Sequence, residues 1–115
     1  MEIVIPVRTL SEANLRCHWG QRARRAKRQR VAARILVRAA FTRLLERGPC
    51  GGYRVTLTRI APRVLDSDNL AISLKAVRDG VADALGVSDA DGLCSWSYAQ
   101  WRGKKREYAV AVDIV

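Results

Sequence analysis

Alternating hydrophobic and polar positions predict four β-strands. Residues 53–60 place Tyr, Val, Leu and Ile between Arg and Thr, the pattern of a half-buried strand. Residues 1–7 are rich in Val and Ile, and Pro6 confines this strand to an edge or its own end. Two further strands are expected to pair as a hairpin through a basic turn: residues 94–101, the turn 102–105 and residues 107–115.

Hydrophobic positions at helical spacing predict two helices between these strands. Residues 20–47 lack interior Gly and Pro and favour one long helix, broken near its start, that ends at Gly48. A second helix is expected to begin at Ser67 or Asp68 and to end before Gly86. The buried stripes are Ala33, Val37, Ala40, Phe41, Leu44 and Leu45 in the first, and Leu70, Leu74, Val77, Val81 and Leu85 in the second.

The order of elements is therefore strand, helix, strand, helix, strand, strand. The chain has 115 residues, the size of one ordinary domain, and contains no repeat, linker or low-complexity tract. These features predict a single α+β domain over residues 1–115, in which a mixed sheet packs against two main helices.

The charge of the chain is strongly positive and unevenly distributed. Lys and Arg total 21 against 11 Asp and Glu, a formal net charge of +10 at pH 7. Residues 1–47 contain twelve basic and three acidic residues, whereas residues 48–115 contain nine and eight. A basic surface favours a polyanionic partner, most commonly nucleic acid. A membrane partner is not expected, since no segment combines a cationic face with large apolar groups, and no motif indicates a small-molecule substrate.

The cysteines indicate the compartment rather than a metal site. Cys17, Cys50 and Cys94 form no C-x-x-C pair, so a zinc site is not expected. No apolar run reaches the length of a membrane span, and no signal peptide is recognisable. The sequence therefore predicts a cytoplasmic protein with reduced thiols.

Six of the eleven acidic residues fall between positions 66 and 91, which is where chemistry is expected. Asp66, Asp68 and Asn69 stand where the exit of a strand meets the start of a helix. Like charges this close disfavour each other unless a cation neutralises them. Mg²⁺ prefers oxygen ligands and needs only one or two carboxylates plus a substrate phosphate. Asp66 and Asp68 are therefore candidate ligands for Mg²⁺, for which Mn²⁺ is expected to substitute.

Helical geometry adds Lys75 and Asp79 to the helix face that carries Asp68, and it leaves the placement of Asp89 and Asp91 open. Lys75 and Asp79 lie within roughly 20° of Asp68 around the helix axis, but Asp79 is some 16 Å away along it. We therefore expect Lys75 to reach back towards a bound phosphate and Asp79 to support it through an i,i+4 pair. Asp89 and Asp91 follow on a loop, and they approach Asp66 and Asp68 only if the fold brings them back.

Two sets of basic residues are candidate DNA contacts. One set follows a face of the first helix at spacings of three and four, and the other forms the turn between the last two strands. Either set is alternatively a solvated surface. The residues are Lys27, Arg30, Arg34 and Arg38, and Lys104 and Lys105.

The acidic residues also carry a family resemblance. The runs L-D-S-D-N-L, L-K-A-V-R-D-G-V-A-D-A-L-G-V and S-D-A-D, with S-E-A-N-L-R-C-H-W and K-R-Q-R upstream, resemble the RusA-type Holliday-junction resolvases, especially phage and prophage members. The resemblance covers roughly residues 6–100. It implies a RusA-like fold and a Mg²⁺-dependent homodimer that nicks branched DNA symmetrically. It also implies catalytic and metal-binding roles for Asp66, Asp68 and Asp89, a phosphate-supporting role for Lys75, and an orienting role for Asn69.

The sequence departs from the family pattern at two places. Ser88 stands where the best-known members have the first of two adjacent acids, so either Asp89 alone or Asp89 with Asp91 completes the site. Lys75 lies three residues further from the D-x-D-N motif than in those members. Three functions follow as hypotheses: a junction-resolving endonuclease, a nucleic-acid-binding module with weak or no catalysis, and an RNA-binding structural protein.

Overall fold

The computed structural model describes residues 2–10, 19–48, 51–88 and 90–115, which form a single α+β domain. The expected order of elements is confirmed, with each of the two long helical segments divided in two. Within the described part of the chain, no helix is long and apolar enough to cross a membrane. The elements are β1 (Glu2–Ile5), α1 (Trp19–Ala40), α2 (Thr42–Arg47), β2 (Tyr53–Ala61), α3 (Ser67–Ser73), α4 (Lys75–Leu85), β3 (Cys94–Arg102) and β4 (Ala109–Ile114).

The four strands form one mixed sheet in the order β1-β4-β2-β3. β2 is parallel to β3 and antiparallel to β4, and β4 is antiparallel to β1. The expected hairpin between β3 and β4 is wrong, because β2 lies between them. Residues 103–108 instead cross the end of β2, where the Gly103 N–H donates to the Ala61 carbonyl at 2.8 Å. A turn signal predicts that the chain reverses, but it does not specify which strand becomes the neighbour.

The helices cover one face of this sheet, and the core lies between the two layers. Alternate residues of β2, from Tyr53 to Ala61, point into the core and are buried. The predicted apolar stripes of both helical segments meet them there, with Val37, Leu74 and Val81 fully buried. The alternation in residues 53–60 and the helical periodicity therefore predicted the correct buried faces of β2 and of the two helical segments.

Both helical segments are interrupted at a buried residue rather than at Gly or Pro. Phe41 separates α1 from α2 with φ −108° and ψ 35°, and its side chain is only 2% exposed. The expected break near the start of the first helix is thus wrong, since the break lies near its end. Leu74 separates α3 from α4 and is fully buried. Backbone hydrogen bonds from Leu74 to Leu70 and from Arg78 to Leu74 continue across this second break.

α1 and α4 pack closely against each other at Gly80. A Cβ atom at Gly80 would overlap the carbonyl oxygen of Arg30 and would lie 2.7 Å from the Cβ of Ala33. One turn further along, Arg30 donates to both carboxylate oxygens of Asp83, at 2.6 and 2.9 Å. The sequence suggested a DNA contact for Arg30 and no partner for Asp83, and the structure joins them in a bidentate pair between the helices.

This pair gives a pH-dependent stability prediction. The hydrogen bond from Arg30 lowers the pKa of Asp83, and the charges of Arg34 and Arg38 add to the effect. A carboxyl group whose pKa is lower when folded stabilises the fold above its unfolded value, here 3.8, and loses that contribution as the pH falls below it. We expect Asp83→Asn to lower the urea midpoint modestly at neutral pH, because the pair is partly exposed. Urea titrations against pH test this, and a difference that persists well below pH 3.8 contradicts it.

Candidate metal and nucleic-acid site

Asp66 begins α3 and is fixed by the turn that it caps. Its Oδ1 accepts the backbone N–H of Asn69 at 2.9 Å, and its Oδ2 accepts the Asn69 side-chain amide at 3.1 Å. The sequence predicts Ser67 or Asp68 as the cap, whereas in the structure Asp66 caps α3. A capping carboxylate keeps further lone pairs on both oxygens, so these bonds orient Asp66 and leave its oxygens able to bind a metal ion.

Asp68 lies in the first turn of α3, and its side chain is exposed. It shares the helix start with Asp66, where the unpaired N–H groups and the helix dipole favour negative charge. Within the described residues no group of three His, Cys, Asp or Glu side chains could hold a metal ion. The donors present are two carboxylates, which fits Mg²⁺ that takes its other ligands from water and a phosphate rather than an all-protein cage.

Lys75 follows two turns after Asp68, at the start of α4. Its Nζ lies 3.2 Å from Oδ2 of Asp79, so the i,i+4 pair expected from the sequence is present. The Lys75 side chain is 76% exposed, which leaves it able to contact a ligand while paired. Lys75 and Asp79 line a cleft of about 260 Å³ together with Arg22 and Ala26 of α1.

The loop that carries Asp66 is held by two sets of hydrogen bonds. The Gln100 side chain of β3 accepts from the Leu65 N–H at 2.9 Å and donates to the Leu65 carbonyl at 2.7 Å. The buried guanidinium of Arg59 donates to the Arg63 carbonyl at 2.6 Å and to Oγ1 of Thr9 at 3.2 Å. These bonds connect the exits of β1 and β2 to the end of β3. Alternation placed position 59 on the inward face, but no sequence signal identified a buried cation there.

Burial lowers the pKa of the Arg59 guanidinium. Guanidinium is so basic that it keeps its charge at neutral pH even so. The charge lies in the interior directly behind the β2–α3 loop, and it adds to the positive potential there.

The strand directions gather basic side chains at the end of the sheet where Asp66 lies. β1, β2 and β3 all leave the sheet at this end, because Ile5 pairs with Val110 and Ala61 pairs with Arg102. Arg8 lines a further cleft with Arg25 and Arg28 of α1. We call this region the basic end: Arg8, Arg25, Arg28, Arg63, Arg102, Lys104 and Lys105. Lys104 and Lys105 are the predicted DNA contacts in this set, and no sequence signal distinguishes the other five.

Three of the four predicted contacts on α1 lie beside Asp83 of α4, and Arg30 is paired with it. Arg34 and Arg38 are close enough to Asp83 to lower its pKa together with Arg30. They therefore flank the second half of α4 rather than the start of α3. Lys27 is exposed in the first half of α1. Their role as DNA contacts stays a prediction.

Asp91 does not join Asp66 and Asp68 within one chain. Its carboxylate closes the turn before β3, accepting from the Ser88 N–H at 2.8 Å and the Leu93 N–H at 3.0 Å. These two bonds lower the pKa of Asp91. Leu93 lies at the start of β3, next to Tyr53, whereas Asp66 follows the Leu65 that bonds to Gln100 near the end of β3. Leu93 and Gln100 are seven strand residues apart, which is about 23 Å. Asp91 and Asp66 therefore lie at opposite ends of β3.

Asp89, the catalytic aspartate that the resemblance implies, lies outside the described residues. The assignments of Asp66, Asp68, Asp89, Asp91, Lys75 and Asn69 as site residues stay predictions. What the structure adds is that Asp66, Asp68, Asn69 and Lys75 share one helical segment, while Asp91 belongs to the opposite end of the sheet.

Comparison with known proteins gives a partial match. The chain is 36% identical over 78 residues, 66% of its length, to an uncharacterized protein of Xylella fastidiosa. The match covers 51% of that relative, so the chain spans about half the length of the protein it resembles. No protein family model and no solved structure matches the chain.

Proposed function

We propose that this protein is a Mg²⁺-dependent endonuclease that nicks branched DNA, including four-way junctions, as a homodimer. The observation that carries the proposal is the pair of carboxylates, Asp66 and Asp68, at the start of α3 beside the basic end. DNA as the substrate implies a cytoplasmic site of action.

The combination of charges distinguishes a nuclease from a simple binder. Phosphates bind basic surfaces by displacing counterions, so carboxylates next to such a surface oppose binding unless they have another task. Holding a divalent cation against the scissile phosphate is such a task. Arg63, Lys104 and Lys105 can bind the DNA backbone on either side of the scissile phosphate. The segments that carry them follow β2 and β3 at the same end of the sheet as Asp66.

The residues of the proposed site have separate tasks. Asp66 and Asp68 would hold Mg²⁺, or Mn²⁺ in its place, and the bound ion would activate water and stabilise charge developing on the phosphate. Asn69 fixes the orientation of Asp66 through its amide. Lys75 contacts a nonbridging phosphate oxygen, while Asp79 keeps its side chain on this face of the helix. Asp89 would supply the further acid, as the resemblance implies.

A nucleic-acid-binding module without strong catalysis is the second candidate. Ser88 stands in place of an acid of the family pattern, and both carboxylate oxygens of Asp91 are engaged by backbone N–H groups. A chain that had lost part of its metal site would keep the basic end and bind junctions without cutting them.

Incubation with synthetic DNA tests the proposed activity. We expect paired nicks in a strand-labelled four-way junction with MgCl₂ or MnCl₂, none with EDTA, and far fewer in a linear duplex of the same sequence. Binding without nicks under any divalent metal would contradict the nuclease and support the binding module. An RNA hairpin bound as tightly as the junction at equal salt would instead indicate an RNA-binding protein.

A further inference from the structure

We propose that the cleft between the end of β1 and the first half of α1 holds one unpaired nucleotide of a DNA strand. The phosphate of this nucleotide lies against the arginines of the cleft, and its base enters the apolar part. The inference goes beyond the proposed function, because it concerns a site other than Asp66 and Asp68 and holds whether or not the protein cuts DNA.

The cleft has the size and the lining of a ligand pocket rather than of a flat cationic surface. Its volume is about 380 Å³, which is at the lower end of the range for small-molecule sites. Three aliphatic residues and three arginines line it, and none of the described residues around it is acidic. They are Val7, Leu10 and Ala32, and Arg8, Arg25 and Arg28. The cleft therefore fits a ligand that is anionic at one end and apolar at the other.

The segment that carries Arg8 is held in place from several sides. The side chain of Gln29, which also lines the cleft and is only 6% exposed, donates to the Arg8 carbonyl at 2.9 Å. The next residue, Thr9, is buried and accepts from the Arg59 guanidinium at 3.2 Å. The Arg8 guanidinium lies over the ring of Tyr108, 4.4 Å from the ring centre. A cation held in this way loses little conformational freedom when it binds an anion.

α1 contributes both cations and apolar surface to the cleft. Arg25 and Arg28 are three residues apart, so they are neighbours on the helix surface. Ala32 follows Arg28 by four residues and lies on the same face, where its small side chain leaves room in the cleft. The helix therefore presents phosphate-binding groups and an apolar wall side by side.

An unpaired nucleotide is the part of DNA that matches this lining. Arginine binds phosphate through paired N–H groups, and its planar guanidinium also stacks on aromatic faces such as those of bases. In a duplex the bases are stacked inside the helix, so backbone contacts make no use of an apolar cleft. An unpaired base can leave the stack and be buried in a pocket. The cleft therefore selects an unpaired nucleotide over a segment of duplex backbone.

The cleft lies at the same end of the sheet as Asp66 but at a separate place. β4 lies between β1 and β2, and Val110 pairs with both Ile5 and Arg59. The two outer strands therefore leave the sheet two strand spacings apart, about 10 Å. A DNA strand bound at Asp66 reaches the cleft within a few nucleotides, since one nucleotide of a duplex strand spans about 3.4 Å. Branched DNA with unpaired nucleotides beside the branch point is thus the preferred ligand.

Titration with small ligands, followed by ¹H–¹⁵N NMR of the backbone and arginine side chains, tests the cleft itself. We expect deoxyadenosine 5′-monophosphate to shift the signals of cleft residues such as Arg8 and Arg28. It should bind more tightly than inorganic phosphate or deoxyadenosine, because each of these makes only one of the two kinds of contact. Equal affinity for the nucleotide and for phosphate, or shifts confined to residues outside the cleft, overturns the proposal.

Variants of α1 separate the cleft from the general positive charge. Arg28→Gln should weaken nucleotide binding, whereas Arg24→Gln is the matched control, an exposed arginine of the same helix that does not line the cleft. Ala32→Leu should lower the nucleotide affinity to that of phosphate, because the longer side chain occupies the apolar part at unchanged charge. Urea midpoints check that each variant is folded, and Arg28→Gln at its exposed position decides the matter if Ala32→Leu is unstable. Equal losses for Arg24→Gln and Arg28→Gln contradict a specific site.

Junction binding tests DNA as the source of the nucleotide. A four-way junction with unpaired nucleotides at the branch point should bind about fivefold more tightly than a fully paired one at equal salt, as burial of roughly 40 Å² of apolar base surface gives. Ala32→Leu should remove this difference. Equal affinity of the wild type for both junctions, or tighter binding of the free mononucleotide than of a short single strand, overturns the proposal. A wild type that keeps these preferences but never nicks would count against the proposed function alone.

Discussion

Asp68→Asn is expected to reduce junction nicking at least about a hundredfold while leaving the fold and DNA binding intact. Loss of a metal-binding carboxylate removes several kcal/mol of transition-state stabilisation, and each ~1.4 kcal/mol is a tenfold change in rate. Asp68 is exposed and lies in the first turn of α3. Its replacement costs the fold only the favourable interaction with the helix dipole, roughly 0.3–1 kcal/mol.

DNA binding by this variant should be equal to or tighter than that of the wild type, because a negative charge is removed beside the basic end. Nicking rates and junction affinities measured at equal salt distinguish a loss of catalysis from a loss of DNA binding. Glu46→Gln is the matched control, since Glu46 is an exposed helical carboxylate on α2. Equal nicking by Asp68→Asn and the control would remove the basis of the proposed metal site.

Asp66→Asn extends this prediction to the second carboxylate. Asn is as good a helix cap as Asp, so the N–H of Asn69 keeps an acceptor and stability should change little. Nicking should nevertheless fall as it does for Asp68→Asn, because an amide oxygen carries no charge to hold Mg²⁺. Retained nicking with a destabilised fold would assign Asp66 to capping alone.

Local features of the fold were predictable because they depend on neighbours in the sequence. The alternation in residues 53–60 identified β2 and its buried side, and the stripe from Leu70 to Leu85 identified the face of α3 and α4. The pair between Lys75 and Asp79 follows from helical spacing alone. The breaks at Phe41 and Leu74 could not be predicted from local signals, because they occur at large buried side chains rather than at Gly or Pro.

Long-range features could not be obtained in this way. The insertion of β2 between β3 and β4 depends on which strands best cover the shared core, and local turn chemistry does not encode that choice. The buried cation of Arg59 has the same origin, since its acceptors Thr9 and Arg63 come together only in the folded chain. The separation of Asp66 from Asp91 could in principle be predicted, because the expected length of the second helix places its two ends about 28 Å apart.

Gly80→Ala is expected to lower the free energy of unfolding by about 1–3 kcal/mol, against the direction that helix propensity predicts. In an open helix the same change stabilises by up to about 1 kcal/mol, because glycine loses more backbone entropy on folding. At Gly80 the added methyl group would overlap the Arg30 carbonyl and press on the Cβ of Ala33. Neither neighbour is the end of a flexible chain, so α1 and α4 must move apart, at the cost of buried contacts along both.

Thermal unfolding should show this as a loss of about 4 °C or more in Tm, since 1 kcal/mol corresponds to a few degrees in a domain of this size, and urea unfolding as a lower midpoint. Ala82→Gly, two positions along the same helix, is the control for propensity and should lower stability by no more than about 1 kcal/mol. A Gly80→Ala protein as stable as the wild type would show that α1 and α4 do not approach as closely as described. Because the same contact sets where the first half of α1 lies relative to Lys75, the destabilised variant should also bind junction DNA less tightly, whereas the control should not.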